Sequence, residues 1–103
     1  MQYKIKISIL AEQDLTNIFF YIKYTFNEPI IANKYVAHIK QKLLTLQYIP
    51  KKYSLLNNEL LKSKGFRKLV IKNYIAFYKI NEKEKIVNIE RVIYGGYNWE
   101  YKI

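Results

Sequence analysis

The apolar residues of this chain change from a helical spacing to a period of two at Gly65, and that change restricts the folds open to it. Before it, Ala11, Leu15, Ile18, Phe19, Ile22 and Phe26 recur at helical intervals, and Ala32, Tyr35, Val36, Ile39, Leu43 and Leu46 repeat the pattern. Each set makes one apolar face of an amphipathic helix. After it, residues 66–72, 74–80 and 86–94 take up a period of two and are rich in β-branched and aromatic side chains, the marks of three strands. Residues 3–8 alternate as well and read as a half-buried first strand. The order is β-α-α-β-β-β. It predicts an α+β domain in which a helical hairpin packs on one face of an antiparallel sheet.

The punctuation agrees. Ser8 is placed to cap the first helix, with Glu12 and Asp14 near its positive end. Asn27-Glu28-Pro29 separates the two helices, with Asn27 as the expected cap of the second and Pro29 in its first turn. Residues 51–65 form a connection with a short helical turn predicted at Leu55–Leu61. Asn73 is expected to supply the positive φ of a tight hairpin, and Asn81–Lys85 is a polar loop. With 103 residues and no internal linker, repeat or low-complexity stretch, residues 1–103 make one domain.

Composition removes several function classes. Half the residues are hydrophobic and 17% aromatic, which excludes a disordered chain. There is no Cys and only one His, His38, so disulfide scaffolds, thiolate metal sites and a Ser–His–Asp triad lack their parts. His38 lies mid-helix and reads as structural. The three glycines form neither a P-loop nor a dinucleotide fingerprint. No cofactor and no metal are expected. Uncharged runs reach only eight residues, too short for a membrane span, and Lys4 and Lys6 break any secretory signal, so a cytoplasmic chain is expected.

Charge is the strongest functional signal. Eighteen Lys and Arg stand against eight Asp and Glu, a formal net charge of +10. The excess is concentrated after residue 50, and between Glu59 and Glu82 lie Lys62, Lys64, Arg67, Lys68, Lys72 and Lys79 with no acid. Such a surface favours an acidic protein or a polyanion, although a lysine-rich solvated surface gives the same count. Strict alternation puts Arg67 on a face with Leu69 and Ile71, and Arg91 with Val87, Ile89 and Ile93. An Arg among apolar neighbours can lie on the floor of a groove and grip a phosphate or carboxylate. It can equally pack its stem and pair with Glu90 or Glu100, and for Arg91 that reading is preferred. The eleven tyrosines suit base stacking or packing with one wet end. Tyr97 and Trp99, just past the last strand, are open to either.

Taken in order, Ser8 to Leu15, Ile18, Tyr21-Ile22, Ala32 to Ile39, Leu46, Pro50, Phe66-Arg67-Lys68-Leu69, Asn73 to Tyr78 and Arg91-Val92-Ile93-Tyr94-Gly95 resemble the RelE/ParE superfamily of bacterial toxins. The resemblance implies a small toxin of a type II toxin–antitoxin module. It also implies a cognate antitoxin whose acidic C-terminal segment wraps the toxin, in a toxin–antitoxin hetero-oligomer. RelE-like members cut mRNA on the ribosome, using Arg and Lys on the meander strands and a Tyr in the tail. ParE-like members poison DNA gyrase. For a nuclease, Arg67 and Tyr101 are the candidate catalytic residues. Two departures count against it: Ile75 stands where the nucleases carry Arg after Asn-Tyr, and Gly96 and Tyr97 follow Gly95 where one or two Arg are common. The expectation is therefore a ParE-like toxin acting by protein contact, with Lys64, Arg67, Lys68, Arg91, Tyr97 and Trp99 as target- or antitoxin-binding candidates. A RelE-like ribonuclease, and an attenuated toxin or basic nucleic-acid-binding module, are the alternatives. All of them expect a cationic ribbon beside a cleft.

Overall fold

The strands β1 (Lys4–Ile7), β2 (Arg67–Ile71), β3 (Tyr74–Asn81) and β4 (Ile86–Tyr94) form one sheet in the order β1-β4-β3-β2. The helices are α1 (Ile9–Phe26), α2 (Pro29–Leu44), which runs on into a 3-10 turn at Thr45–Gln47, and α3 (Glu59–Ser63). The computed structural model describes residues 2–97, 99 and 103.

The meander β2-β3-β4 is antiparallel, as the alternation predicts. β1 departs from the all-antiparallel expectation: it pairs with β4 in parallel, Ile5 opposite Val87, so the sheet is mixed. The cause is topological. The helical hairpin carries the chain across the sheet to its far edge, and the meander then returns it, so the last strand arrives beside the first and runs the same way.

Ser8 fastens this junction. Its hydroxyl accepts the Ala11 N–H at 2.9 Å as the cap of α1 and donates to the Glu90 carbonyl at 2.8 Å, while its own N–H donates to the Ile89 carbonyl at 3.0 Å. Ser8→Ala removes the cap and leaves the Glu90 carbonyl without its donor. Destabilisation by about 1.5 kcal/mol is expected, read as a lower urea midpoint at an unchanged slope.

At the far end of α1 the structure corrects the capping expectation. Asn27 closes α1 in the left-handed region (φ 51°), and the Glu28 side chain caps α2 by accepting from the Ile30 N–H. Asn tolerates that conformation well, so it serves the helix before it. The positive φ of the β2–β3 turn likewise falls on Lys72 (φ 53°) and not on Asn73. The short helix begins four residues later than expected, with the Asn58 side chain accepting from the Leu61 N–H as its cap.

The core has two layers. Ala11, Leu15, Ile18 and Ile22 of α1, with Ala32, Ile39 and Leu43 of α2, pack on Leu69, Tyr78, Val87, Ile89 and Val92 of the sheet. Against the opposite face, Leu56, Leu61 and Phe66 pack on Ile75, Phe77 and Ile93, joined by Trp99 and Ile103. β3 is therefore buried on both sides, from Tyr74 to Tyr78. Its unbroken apolar run Tyr-Ile-Ala-Phe-Tyr suits a central strand covered twice.

A β-bulge in β4 breaks the alternation. Ile89 pairs with Tyr78 and Arg91 with Phe77, leaving Glu90 as the extra residue. Beyond it, Val92 joins the layer under the helices, and Ile93 belongs to the opposite cluster. The expectation that Arg91 shares one face with Val87, Ile89 and Ile93 together therefore fails, because Val87 and Ile89 lie in the layer under the helices and Ile93 in the opposite one.

Candidate functional site

The bulge aims Arg91 at α1. Its Nε donates to Asp14 Oδ2 at 2.8 Å and its Nη2 to Asp14 Oδ1 at 2.9 Å, and the Val92 N–H donates to the same Oδ2 at 2.9 Å. This bidentate, mostly buried pair ties the first helix to the last strand. Donating these hydrogen bonds to the Asp14 carboxylate holds the guanidinium pKa above its ordinary value. The partner is Asp14 and not Glu90, and the place of Asp14 near the start of α1 gives no sign of this role in the sequence.

Beside the pair lies a cleft of about 670 Å³, between the C-terminal half of α1, Tyr35 of α2 and the adjoining ends of β3 and β4. Asp14 and Arg91 lie at one end, and Tyr21, Tyr35, Tyr74, Tyr94 and Tyr97 supply most of the ring surface. Tyr74 and Tyr94 are register partners across the β3–β4 ladder. Their rings meet edge to face at 5.9 Å, as do Tyr35 with Tyr74 at 5.9 Å and Tyr94 with Tyr97 at 5.3 Å. Edge-to-face contact satisfies the ring quadrupoles and holds the wall as one aromatic unit. Lys72 brings its Nζ to 4.8 Å from the Tyr35 ring centroid.

Burial, reinforced by the neighbouring phenols, pushes the Tyr74 pKa up to about 12. Tyr78, buried with its hydroxyl donating to the Pro50 carbonyl at 2.6 Å, is also pushed up to about 12 by burial. Both folded values lie above the ordinary 10, so the stability they support is complete below pH 10. It falls as pH rises toward 12, because the unfolded chain loses those protons first. An alkaline titration followed by phenolate absorbance is expected to show two tyrosines ionising only with unfolding.

The other sequence candidates are dispersed. Arg67 stands at the start of β2, opposite Tyr78, and its Nη1 donates to the Tyr53 carbonyl at 2.6 Å, bracing the 50–53 segment. Lys68 and Trp99 meet on the opposite face of the sheet, with Lys68 Nζ 5.9 Å from the Trp99 ring and Trp99 4.9 Å from Phe77. Lys64 is exposed at the C-terminal cap of α3. Tyr101 lies outside the described residues. Of the described candidates, only Arg91 and Tyr97 reach the cleft. The cleft expected beside a cationic ribbon is mainly aromatic. Its tyrosines come from four separate segments, and no one of them marks a cleft by itself. Among the described residues, no group of three or more His, Asp or Glu side chains could hold a metal ion, and no helix is long and apolar enough to cross a membrane.

A helical hairpin on a four-stranded mixed sheet with this strand order is the architecture of RelE/ParE-like toxins. A chain of the chromosomal ParDE toxin–antitoxin system from Pseudomonas aeruginosa superposes with a TM-score of 0.75 at 21% identity, covering 90% of this chain and 96% of that one. The RelBE toxin–antitoxin complex of Mycobacterium tuberculosis gives 0.64 at 21% identity, covering 91% and 99%. A mutant of the Escherichia coli RelE toxin in the free state gives 0.66 at 13% identity, covering 99% and 93%. A comparison with curated proteins finds no match. The family model described as "ParE toxin of type II toxin-antitoxin system, parDE" matches residues 5–99. The chain belongs to that family.

Proposed function

We propose that this toxin arrests growth in the cytoplasm by binding DNA gyrase, and that a cognate antitoxin with an acidic segment holds it inactive until released. The observation that carries the reading is the position of Ile75. A ribosome-dependent nuclease needs cations over the scissile phosphate. At the position where the resemblance would put such an Arg, this chain has Ile75, 8% exposed and packed with Phe77, Ile93 and Phe66 under Trp99. The guanidinium of Arg67 is engaged with the Tyr53 carbonyl, and the cleft beside β4 offers aromatic contact surface in place of a cationic track. The antitoxin part of the reading draws on the family and on the net charge of +10, which suits an acidic segment that folds as it binds. In this reading Lys64, Lys68, Tyr97 and Trp99 contribute to partner contacts, whereas Arg67 and Arg91 position the elements that make them.

Purified toxin added to gyrase and relaxed plasmid is the test. Loss of supercoiling, with cleaved plasmid accumulating, is expected. Unchanged supercoiling, alongside codon-positioned cuts in the messages of induced cells, would replace this reading with a RelE-like ribonuclease.

A further inference from the structure

The helices cover one face of the sheet, and the second apolar layer covers only part of the other. Ile5 and Ile7 of β1, Tyr78 and Ile80 of β3, and Val87 and Ile89 of β4 all pack toward the helices. Alternation therefore turns Lys4, Lys6, Lys79 and Asn88 to the opposite face. Lys6 stands opposite Asn88, and Asn88 opposite Lys79, so the three form one row across β1, β4 and β3. Lys68 of β2 shares this face as the register partner of Phe77. Lys4 and Lys6 are exposed. Lys79 and Lys68 are half-buried at the margin of the apolar layer, with Lys79 Nζ 5.0 Å from the Phe66 ring and Lys68 Nζ 5.9 Å from the Trp99 ring. The four strands contain a single acid, Glu90 at the bulge. Glu82, in the loop after β3, is already held by Lys51 at 3.0 Å and by Lys85 at 2.9 Å.

We infer that this open face of the sheet, away from the tyrosine cleft, binds the phosphate backbone of duplex DNA without reading its sequence. Three observations select that occupant. The first is charge: four lysines from three strands share the face with one acid, and the whole chain carries +10. The second is spacing. Lys4 and Lys6 are about 7 Å apart along β1, and Lys6 and Lys79 about 10 Å apart across the row, so each ammonium can meet a different phosphate. Lysine, a point charge on a flexible stem, suits phosphates that need no fixed orientation. The third is what the face lacks. An unpaired strand is held by a basic track with aromatic platforms for its bases. The rings that border this face are spent on packing, Phe66 at 7% exposure and Trp99 at 4.9 Å from Phe77. Four strands also span about 14 Å, wider than the major groove at roughly 12 Å, so the sheet rests on the backbone and leaves the base edges untouched. The inference does not depend on gyrase being the target of the toxin.

Fluorescence anisotropy of a labelled duplex of about 20 base pairs tests it on the whole protein, with no gyrase present. Binding is expected to weaken roughly 150-fold between about 50 and 200 mM salt, the dependence of about four neutralised phosphates, and to be equal for a duplex of shuffled sequence. Lys4→Gln combined with Lys6→Gln is expected to halve the slope of log affinity against log salt. Lys34→Gln combined with Lys40→Gln, at exposed positions of α2 on the other side of the molecule, removes the same charge and is expected to leave that slope unchanged. Lys79→Gln, which lowers the slope by about one phosphate, serves should the β1 pair fold poorly. An equal fall in slope for both pairs would overturn the inference, because the attraction would then belong to the charge of the whole chain. Tighter binding of the single strand of the same length would overturn it too, as would retention on phosphatidylglycerol vesicles with no binding of the duplex.

Discussion

Asp14→Ala is expected to cost about 3 kcal/mol, far more than a surface charge usually does. One carboxylate satisfies three donors, two from the Arg91 guanidinium and one from the Val92 backbone, at 2.8 to 2.9 Å. The side chains are 11% and 23% exposed, so water screens the pair only weakly. Truncation deprives a half-buried guanidinium of its counter-charge and an N–H of its acceptor. It also severs the tie between α1 and the bulge that shapes one end of the tyrosine cleft. For a domain of this size the loss corresponds to a fall in melting temperature of roughly 12 °C or more. Arg91→Ala alone is expected to cost less, because Asp14 keeps the Val92 N–H. The double variant should be no worse than Asp14→Ala, a coupling above about 1 kcal/mol in a double-mutant cycle. A loss below about 1 kcal/mol for Asp14→Ala would reduce the pair to a screened surface contact.

Asp14 also shows which parts of this molecule are legible in its sequence. The two helices and the meander could be read because burial on one face imposes a period on consecutive residues, and Ala11, Leu15, Ile18, Ile22, Ala32, Ile39, Leu43 and Leu46, all buried, carry that signal. The parallel pairing of β1 with β4 could not, since a strand's own residues state which face is buried but not which neighbour it joins. The bulge at Glu90 is equally silent, because Ile89, Glu90 and Arg91 fit an unbroken alternation until the register with Tyr78 and Phe77 is known. From that point strict alternation misassigns Ile93, and with it the surroundings of Arg91. Asn27 serves the helix before it, and Glu28 takes the cap of α2 expected of Asn27, for a different reason: both stand at the helix boundary, and only the backbone angles decide which helix each serves. The cleft was the least legible feature. Tyr21, Tyr35, Tyr74 and Tyr94 are separated by up to 73 residues and converge only after the sheet is assembled. The register pairing of Tyr74 with Tyr94 would have been the earliest available sign.

Ile75→Arg is expected to be the most damaging single substitution of those considered, at about 4 kcal/mol or more, a large share of the 5–15 kcal/mol that holds an ordinary domain together. Ile75 is 8% exposed and sits in the second apolar layer with Phe77, Ile93, Leu61 and Phe66. Its side chain also packs where a Cβ on Gly95 would come within 3.4 Å of it, so the space around it is already close to filled. A guanidinium there would lose water without gaining an acid, because the cluster contributes only apolar side chains. Ile75→Val, which keeps the shape less one methyl, is expected to cost only about 1 kcal/mol and serves as the reference. Denaturant unfolding of the two variants separates two views of this face. A closed apolar layer makes the Arg variant unfold or aggregate while the Val variant stays folded. A face open enough to serve RNA would let the long side chain snorkel to solvent, and the two variants would then differ by less than about 1 kcal/mol. That outcome would remove the main physical argument against a nuclease, and the same Arg variant would then be the one to assay for newly gained cleavage of mRNA on the ribosome.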